Sequence, residues 1–322
     1  MISNKYPTTK PSLNLDFANT KSLDPRITFR RGTPGTYYDG VTNVKAEENL
    51  FTYSEDFSEW GYGRIVQTSG QSAPDGSSNA YKIEQDSGQT TSGYLLQTHN
   101  ASANKSYTFS VYAKAGTNRN YIVLRTFLSN NRFTFFDLAN GLVANTAEGH
   151  VASISDAGGG WYRCSITYMH SSESSSGVQF NVYFSDNDSS ITVADDGGFI
   201  YVWGAQLEQR DFMTCYTATN GESITKYQPK LITASADSAR FDHDPITGES
   251  KGLLIEGSRT NLVQDSEFIE NISTNGVWWN QTATVSSVKK NQTISPTGQL
   301  SATKIIYNTN ATSGGLVMKY HR

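Results

Sequence analysis

Between residues 48 and 217 apolar and polar side chains alternate with a period of two. In "YTFSVYAK", Tyr107, Phe109, Val111 and Ala113 fall on one side, and Thr108, Ser110, Tyr112 and Lys114 on the other. That is the pattern of a strand with one face buried. Tyr162, Cys164, Ile166 and Tyr168 share a face in "WYRCSITY", as do Val178, Phe180, Val182 and Phe184 in "VQFNVYF". The runs "NYIVLRTF" and "GFIYVWGAQLE" are apolar at nearly every position, as strands covered on both faces are. Turn formers separate the runs: Pro74-Asp75-Gly76, Asn130-Asn131, Asn140-Gly141, Gly158-Gly159-Gly160 and Asp195-Asp196-Gly197-Gly198. No segment sustains a helical period over three turns. About ten short strands at this spacing predict an all-β, antiparallel jelly-roll β-sandwich. Phe109, Val111, Cys164, Ile166, Phe180, Val182 and Val202 belong to its predicted core.

The chain also repeats itself. "ENLFTYSEDF" at Glu48–Phe57 returns as "TNLVQDSEF" at Thr260–Phe268, pairing Asn49 with Asn261, Leu50 with Leu262, Ser54 with Ser266 and Glu55 with Glu267. "APDGSSNAYKI" (Ala73–Ile83) returns as "SPTGQLSATKI" (Ser295–Ile305), and "TSGYLLQTHN" as "TSGGLVMKYHR". The spacing between copies lengthens along the chain, which a longer loop around Trp278-Trp279 accounts for. A second copy of the module is therefore expected from about Thr260. Leu262, Val263, Phe268, Ile305, Ile306, Leu316 and Val317 would form apolar faces too few in strands to close on themselves. The expectation is that the 322 residues are the N-terminal part of a longer polypeptide.

Composition narrows the function. Charged residues make up 17%, and the formal net charge is −4, so the chain lacks the basic footprint of a nucleic-acid binder, and no basic run suggests a membrane surface. No apolar stretch reaches the length of a membrane span, and the first residues lack a signal-peptide core. Cys164 and Cys215 are expected to be reduced, partly buried thiols.

Together, "NLFTYSEDFSEW", "APDGSSNAYKI", "YTFSVYAKAG", "FDLANGLV", "GGGWYRCSI" and "GFIYVWGAQLEQRDFMTCYTAT" resemble, in order and spacing, a known module. It is the carbohydrate-binding-like jelly roll of tailed-bacteriophage virion proteins. The flanks "LDPRITFRRGTPGTYYDG" and "ARFDHDPITGESKGLLIEGSRTNL" resemble a paired motif of tail-fibre and related structural proteins. Four segments follow: an N-terminal anchoring segment (1–47), the jelly roll (48–217), a hairpin segment pairing with the N-terminal unit (218–259), and the start of a second module (260–322). The jelly roll is thus inserted in a small β-rich unit.

Candidate chemistry is sparse. Trp161 and Trp203 lie in strand-like runs and are expected in the core. Trp60, Tyr62 and Tyr94 lie near loops or strand ends in polar surroundings and are the candidate glycan-stacking residues. Arg163 alternates away from Tyr162 and Cys164, which predicts a solvent-facing or salt-bridging role. Asp186, Asp188, Asp195 and Asp196 carry the oxygen ligands calcium takes. Sugar-binding jelly rolls often hold a structural calcium, so the resemblance makes these four the candidate metal ligands, with no other cofactor expected. The five histidines form no ligand-spaced cluster. No paired-carboxylate E-x-D-x-x-E pattern, G-x-S-x-G elbow, P-loop or HExxH motif occurs, and Glu249 and Glu256 are placed in exposed turns. The expectation is a non-enzymatic structural component of a phage virion, the N-terminal part of a fibre or fibre-like appendage made in the host cytoplasm. Its expected partners are other virion proteins, itself as a homotrimer, and host-surface glycan, with neither nucleic acid nor membrane. The alternatives are a lectin-like module, or the non-catalytic part of a polysaccharide depolymerase.

Overall fold

The computed structural model of the chain describes residues 15–172, 175–257, 279–281, 285–307 and 316–318. The expected start of the second copy, with Leu262, Val263 and Phe268, lies outside the described residues. Two compact units form, one from residues 47–225 and the other from residues on either side of it.

Strand β1 (Gly35–Asn49) leads into the first unit. There follow β2 (Gly61–Gly63), β3 (Ile65–Gln71), β4 (Ala80–Gln85), β5 (Tyr94–Ala101), β6 (Lys105–Ala115) and β7 (Tyr121–Phe127). Next come β8 (Asn131–Asp137), β9 (Leu142–Asn145), β10 (His150–Gly158), β11 (Trp161–His170), β12 (Ser176–Ser185) and β13 (Phe199–Glu208). Strand β14 (Ile224–Ala234) leads out and is hydrogen-bonded to β1. Beyond it lie the hairpin of β15 (Phe241–His243) and β16 (Ser250–Leu253), then β17 (Trp279–Gln281), β18 (Val285–Ile294), β19 (Leu300–Tyr307) and β20 (Leu316–Met318).

The inserted unit is an antiparallel jelly-roll sandwich. One sheet has the order β10-β11-β6-β13-β4-β3 and the other β2-β5-β12-β7-β8-β9. Register aligns the apolar faces read from the sequence: Ile166 lies opposite Phe109 and Cys164 opposite Val111 in one sheet, Val182 opposite Leu124 in the other. Phe109, Val111, Cys164, Ile166, Phe180, Val182 and Val202 are all fully buried between the sheets. The Phe109 ring meets Phe51 at 5.4 Å and Phe180 at 5.8 Å, edge to face, the arrangement aromatic quadrupoles favour. The unit runs past the boundary expected at residue 217. Gly221 donates its amide to the Thr52 carbonyl at 2.8 Å, and Tyr53 bridges Asn220.

Each sheet is also covered on part of its outer face. Trp161 and Trp203 are buried as expected, in a separate cluster with Tyr112 and Tyr216. The segment after β13 crosses this face and overturns the exposed reading of Arg163. That guanidinium is buried, donating to the Thr214 carbonyl at 2.6 Å and the Ser110 hydroxyl at 3.0 Å, over the Tyr112 ring. Strand alternation points Arg163 out of the core, but only the chain returning over the sheet decides that "out" is not solvent. Cys164 is buried and Cys215 half-buried, and neither forms a disulfide.

In the second unit the two flanking motifs meet. The Arg31 amide donates to Asp237 at 2.8 Å, the Tyr38 amide to Asp242 at 3.0 Å, and Arg240 to the Thr36 carbonyl at 2.8 Å and Glu256 at 2.6 Å. Glu256 is thus exposed but paired.

Candidate functional site

A concavity of the sandwich lies beside β3, β4 and the short 3₁₀ turn Phe57–Glu59. Two hollows of about 570 and 510 Å³ adjoin there and share Ser69 and Tyr81 in their linings. Glu55, Asp56, Asn79 and Asn220 line the first, and Ser58, Tyr62 and Val66 the second.

Local structure places each group. Asp56 caps the 3₁₀ turn, accepting from the Ser58 amide at 3.1 Å and hydroxyl at 2.6 Å, as a short side chain does at a turn start. The Tyr81 hydroxyl, projecting from β4, donates to the same carboxylate at 2.6 Å. These donors hold the Asp56 carboxyl below the ordinary range. Its neighbour Glu55 moves the other way. Partial burial pushes that carboxyl up, against the lowering effect of the Tyr216 hydroxyl donating at 3.0 Å. Asn79 joins the two sides of the floor: its amide nitrogen donates to Glu55, and its oxygen accepts from the Trp203 indole at 2.9 Å. Burial drives the Tyr216 phenol far up, so it stays a donor at any ordinary pH. The cleft floor is therefore a fixed array of oxygens and amides, tied to the buried Trp203 and the half-buried Tyr216, whose rings lie 4.7 Å apart. Tyr62, 58% exposed, stands at its edge as a free aromatic surface.

Of the three aromatic candidates, then, only Tyr62 lies here. Trp60 is a correction: it is 2% exposed, packed on Phe51 at 4.9 Å and Phe57 at 5.2 Å, its indole donating to the Tyr53 carbonyl at 2.6 Å. Two aromatic neighbours around the turn draw it inward, and the Tyr53 carbonyl satisfies its single donor. Tyr94 sits elsewhere, on the outer face of the second sheet, against Tyr183 at 5.5 Å and under the Arg64 guanidinium. On that face Asn181 is fully buried with neither amide atom hydrogen-bonded, and Arg125 donates to the Tyr183 hydroxyl at 2.8 Å.

The acidic loops do come together, but around a protein cation. Arg119, with no exposed surface, pairs with Asp186 at 2.7 Å and Asp196 at 2.9 Å. Asp186 also accepts from the Ala194 amide, and Asp195 from the Gly88 amide, at 2.8 and 2.9 Å. Asp188 makes no ion pair with the arginine. Among the described residues no group of three or more His, Cys, Asp or Glu side chains could hold a metal ion. The guanidinium occupies the place calcium was expected to take, a substitution that the distant position of Arg119 in the chain hides. Glu55, Asp56, Asn79 and Tyr81 were missed as a set. Their one sequence signal is the return of "SE" and of the "P-x-G" turn in the second copy.

No family model matches the sequence, and no curated protein matches it. Among solved structures, 51% of the chain is similar to the whole of TmCBM61 in complex with β-1,4-galactotriose, at 10% identity and a TM-score of 0.31. A further similarity covers 55% of this chain and 30% of the CBM22-1–GH10 modules of a Clostridium thermocellum xylanase complexed with xylohexaose, at 13% identity and a TM-score of 0.34. Another covers 49% of this chain and 21% of the enzymatically active domain of bacteriophage CBA120 tailspike protein 4, at 13% identity and a TM-score of 0.32.

Proposed function

We propose that the sandwich is a glycan-contacting module of a tailed-phage virion protein, and that the cleft between Tyr62 and Glu55 receives the sugar. The observation that carries the reading is the pairing of one exposed aromatic face with a fixed polar floor. Sugars offer both surfaces such a site needs: C–H groups for the ring of Tyr62 and hydroxyls for Asp56, Glu55 and Asn79. The flanking motifs, hydrogen-bonded to each other around β1 and β14, support a structural anchor in a fibre-like appendage that contacts other virion proteins and assembles as a homotrimer. Glu55 and Asp56 are each tied to hydroxyl or amide donors, which suits acceptors of ligand hydroxyls better than an acid–base pair.

A glycan array probed with the purified chain should retain a small set of oligosaccharides. Tyr62→Ala should weaken binding about tenfold, ~1.4 kcal/mol, without changing the melting temperature. Retention of no glycan would sink the reading. So would release of reducing ends that one Glu55 or Asp56 substitution abolishes, which would favour a depolymerase.

A further inference from the structure

The repeat met in the sequence returns in the backbone as the same ladder. In the first copy Gln67 lies opposite Ile83, Thr68 opposite Lys82 and, after a register shift, Gln71 opposite Ala80. In the second, Val288 lies opposite Ile305, Lys289 opposite Lys304 and, again after a shift, Thr293 opposite Ala302. The turns agree bond for bond. Ala73 donates to the Ser77 carbonyl at 2.9 Å and Gly76 to that of Ala73 at 3.1 Å. Ser295 donates to the Gln299 carbonyl at 2.8 Å and Gly298 to that of Ser295 at 2.9 Å. Gly76 and Gly298 have φ of 89° and 86°, and the shift itself holds a left-handed residue in each copy, Gly70 and Asn291. Outside each hairpin one more pair closes, β2 with β5 and β17 with β20.

Two hairpins on one backbone separate scaffold from site. Residues that both copies keep serve the shared backbone: Pro74 and Pro296, Gly76 and Gly298, Ala80 and Ala302, Ile83 and Ile305. At the cleft positions carried by the hairpin itself the copies part, although Glu55 at the cleft floor is matched by Glu267. Asn79 corresponds to Ser301, Tyr81 to Thr303 and Ser69 to Lys290. Serine is too short to span from a carboxylate to an indole as Asn79 does. Threonine lacks the reach by which the Tyr81 hydroxyl holds Asp56. A lysine replaces a small neutral side chain on the wall between the hollows.

We infer that recognition is confined to the first hairpin, with Asn79 and Tyr81 as its specifying residues, the second hairpin being the same scaffold without the site. This rests on the glycan reading of the cleft. The second copy also supplies the test, because Ser and Thr are already carried on this backbone. In the full chain, Asn79→Ser combined with Tyr81→Thr should stay folded at a lowered melting temperature, since the buried Tyr81 ring packs on Phe57 at 5.6 Å and the Trp203 indole loses its acceptor. Its affinity for the oligosaccharide best retained on the array should fall at least tenfold, and calorimetry of the unaltered chain should count one site. Should the double variant unfold, Tyr81→Phe, which removes only the hydroxyl that reaches Asp56, decides the matter by the same titration. Undiminished affinity in a folded variant, or two sites per chain, overturns the inference and leaves the glycan reading standing. An unaltered chain that binds no oligosaccharide overturns both.

Discussion

At the scale of single residues, burial sets the magnitudes. Phe109 touches Phe51 and Phe180 with no exposed surface, so Phe109→Ala leaves a cavity both sheets share. It should cost about 3–5 kcal/mol in denaturant unfolding; a loss below about 1 kcal/mol would mean the ring is not central to the core. His150 is a different case. Its ring nitrogens lie 2.8 Å from the hydroxyls of Thr126 and Thr134, and burial, aided by Arg132, lowers its pKa to about 4. Unfolded, a histidine titrates near ~6.5. Between those values the unfolded chain binds the proton and the folded chain does not, so stability falls as pH drops from about 6.5 towards 4 and then levels off, by roughly 3 kcal/mol for this group. Unfolding free energies measured from pH 7 to 4 should show that slope, and His150→Gln should flatten it.

The element scale concerns loops that a single arginine pins. Arg119 lies between β6 and β7, whereas Asp186 and Asp196 lie in the connection between β12 and β13. The clamp therefore staples two connections that strand pairing alone leaves loose. Gly198 makes room for it, since a Cβ there would stand 2.4 Å from the guanidinium. Arg119→Ala leaves two carboxylates, each about a third exposed, facing each other without their cation, and should cost about 1–3 kcal/mol, with hydrogen exchange rising first in residues 186–198. Partial burial raises the Asp196 carboxyl, but hydrogen bonding and attraction to Arg119 outweigh it and leave the group below its ordinary value. Its contribution is thus present above the ordinary aspartate range and is lost as pH falls through the folded value. Because a guanidinium fills the site, a chelator should leave the melting temperature unchanged. A fall on adding EDTA, restored by calcium, would contradict the clamp.

For the whole molecule, the division into two units makes a prediction about autonomy. Residues 47–225 contain both six-stranded sheets and the core between them. Expressed alone they should unfold in one cooperative transition, with fluorescence and circular dichroism coincident. Separate transitions would mean that β1 and β14 complete the sandwich rather than merely lead into and out of it. Sedimentation of the full chain tests the homotrimer independently, a monomer at micromolar concentration counting against it.

Strand existence, the inward faces and the repeat were legible in the sequence because each is local. A period of two marks one buried face whatever lies across from it, and a Pro-x-Gly turn needs its left-handed glycine wherever it occurs. The core around Phe109 and Cys164 could be named on that basis alone. What local pattern cannot supply is what the far chain brings. Trp60 reads as a loop aromatic until Phe51 and Phe57 close on it. Arg163 reads as solvent-facing until Thr214 crosses the sheet, and Asp186 and Asp196 read as calcium ligands until Arg119 arrives between them. The cleft is of the same kind, its floor uniting Glu55, Asn79, Trp203 and Tyr216 from four separated segments. Alternation decides which way a side chain points, but only tertiary packing decides whether water, another side chain or a ligand meets it there.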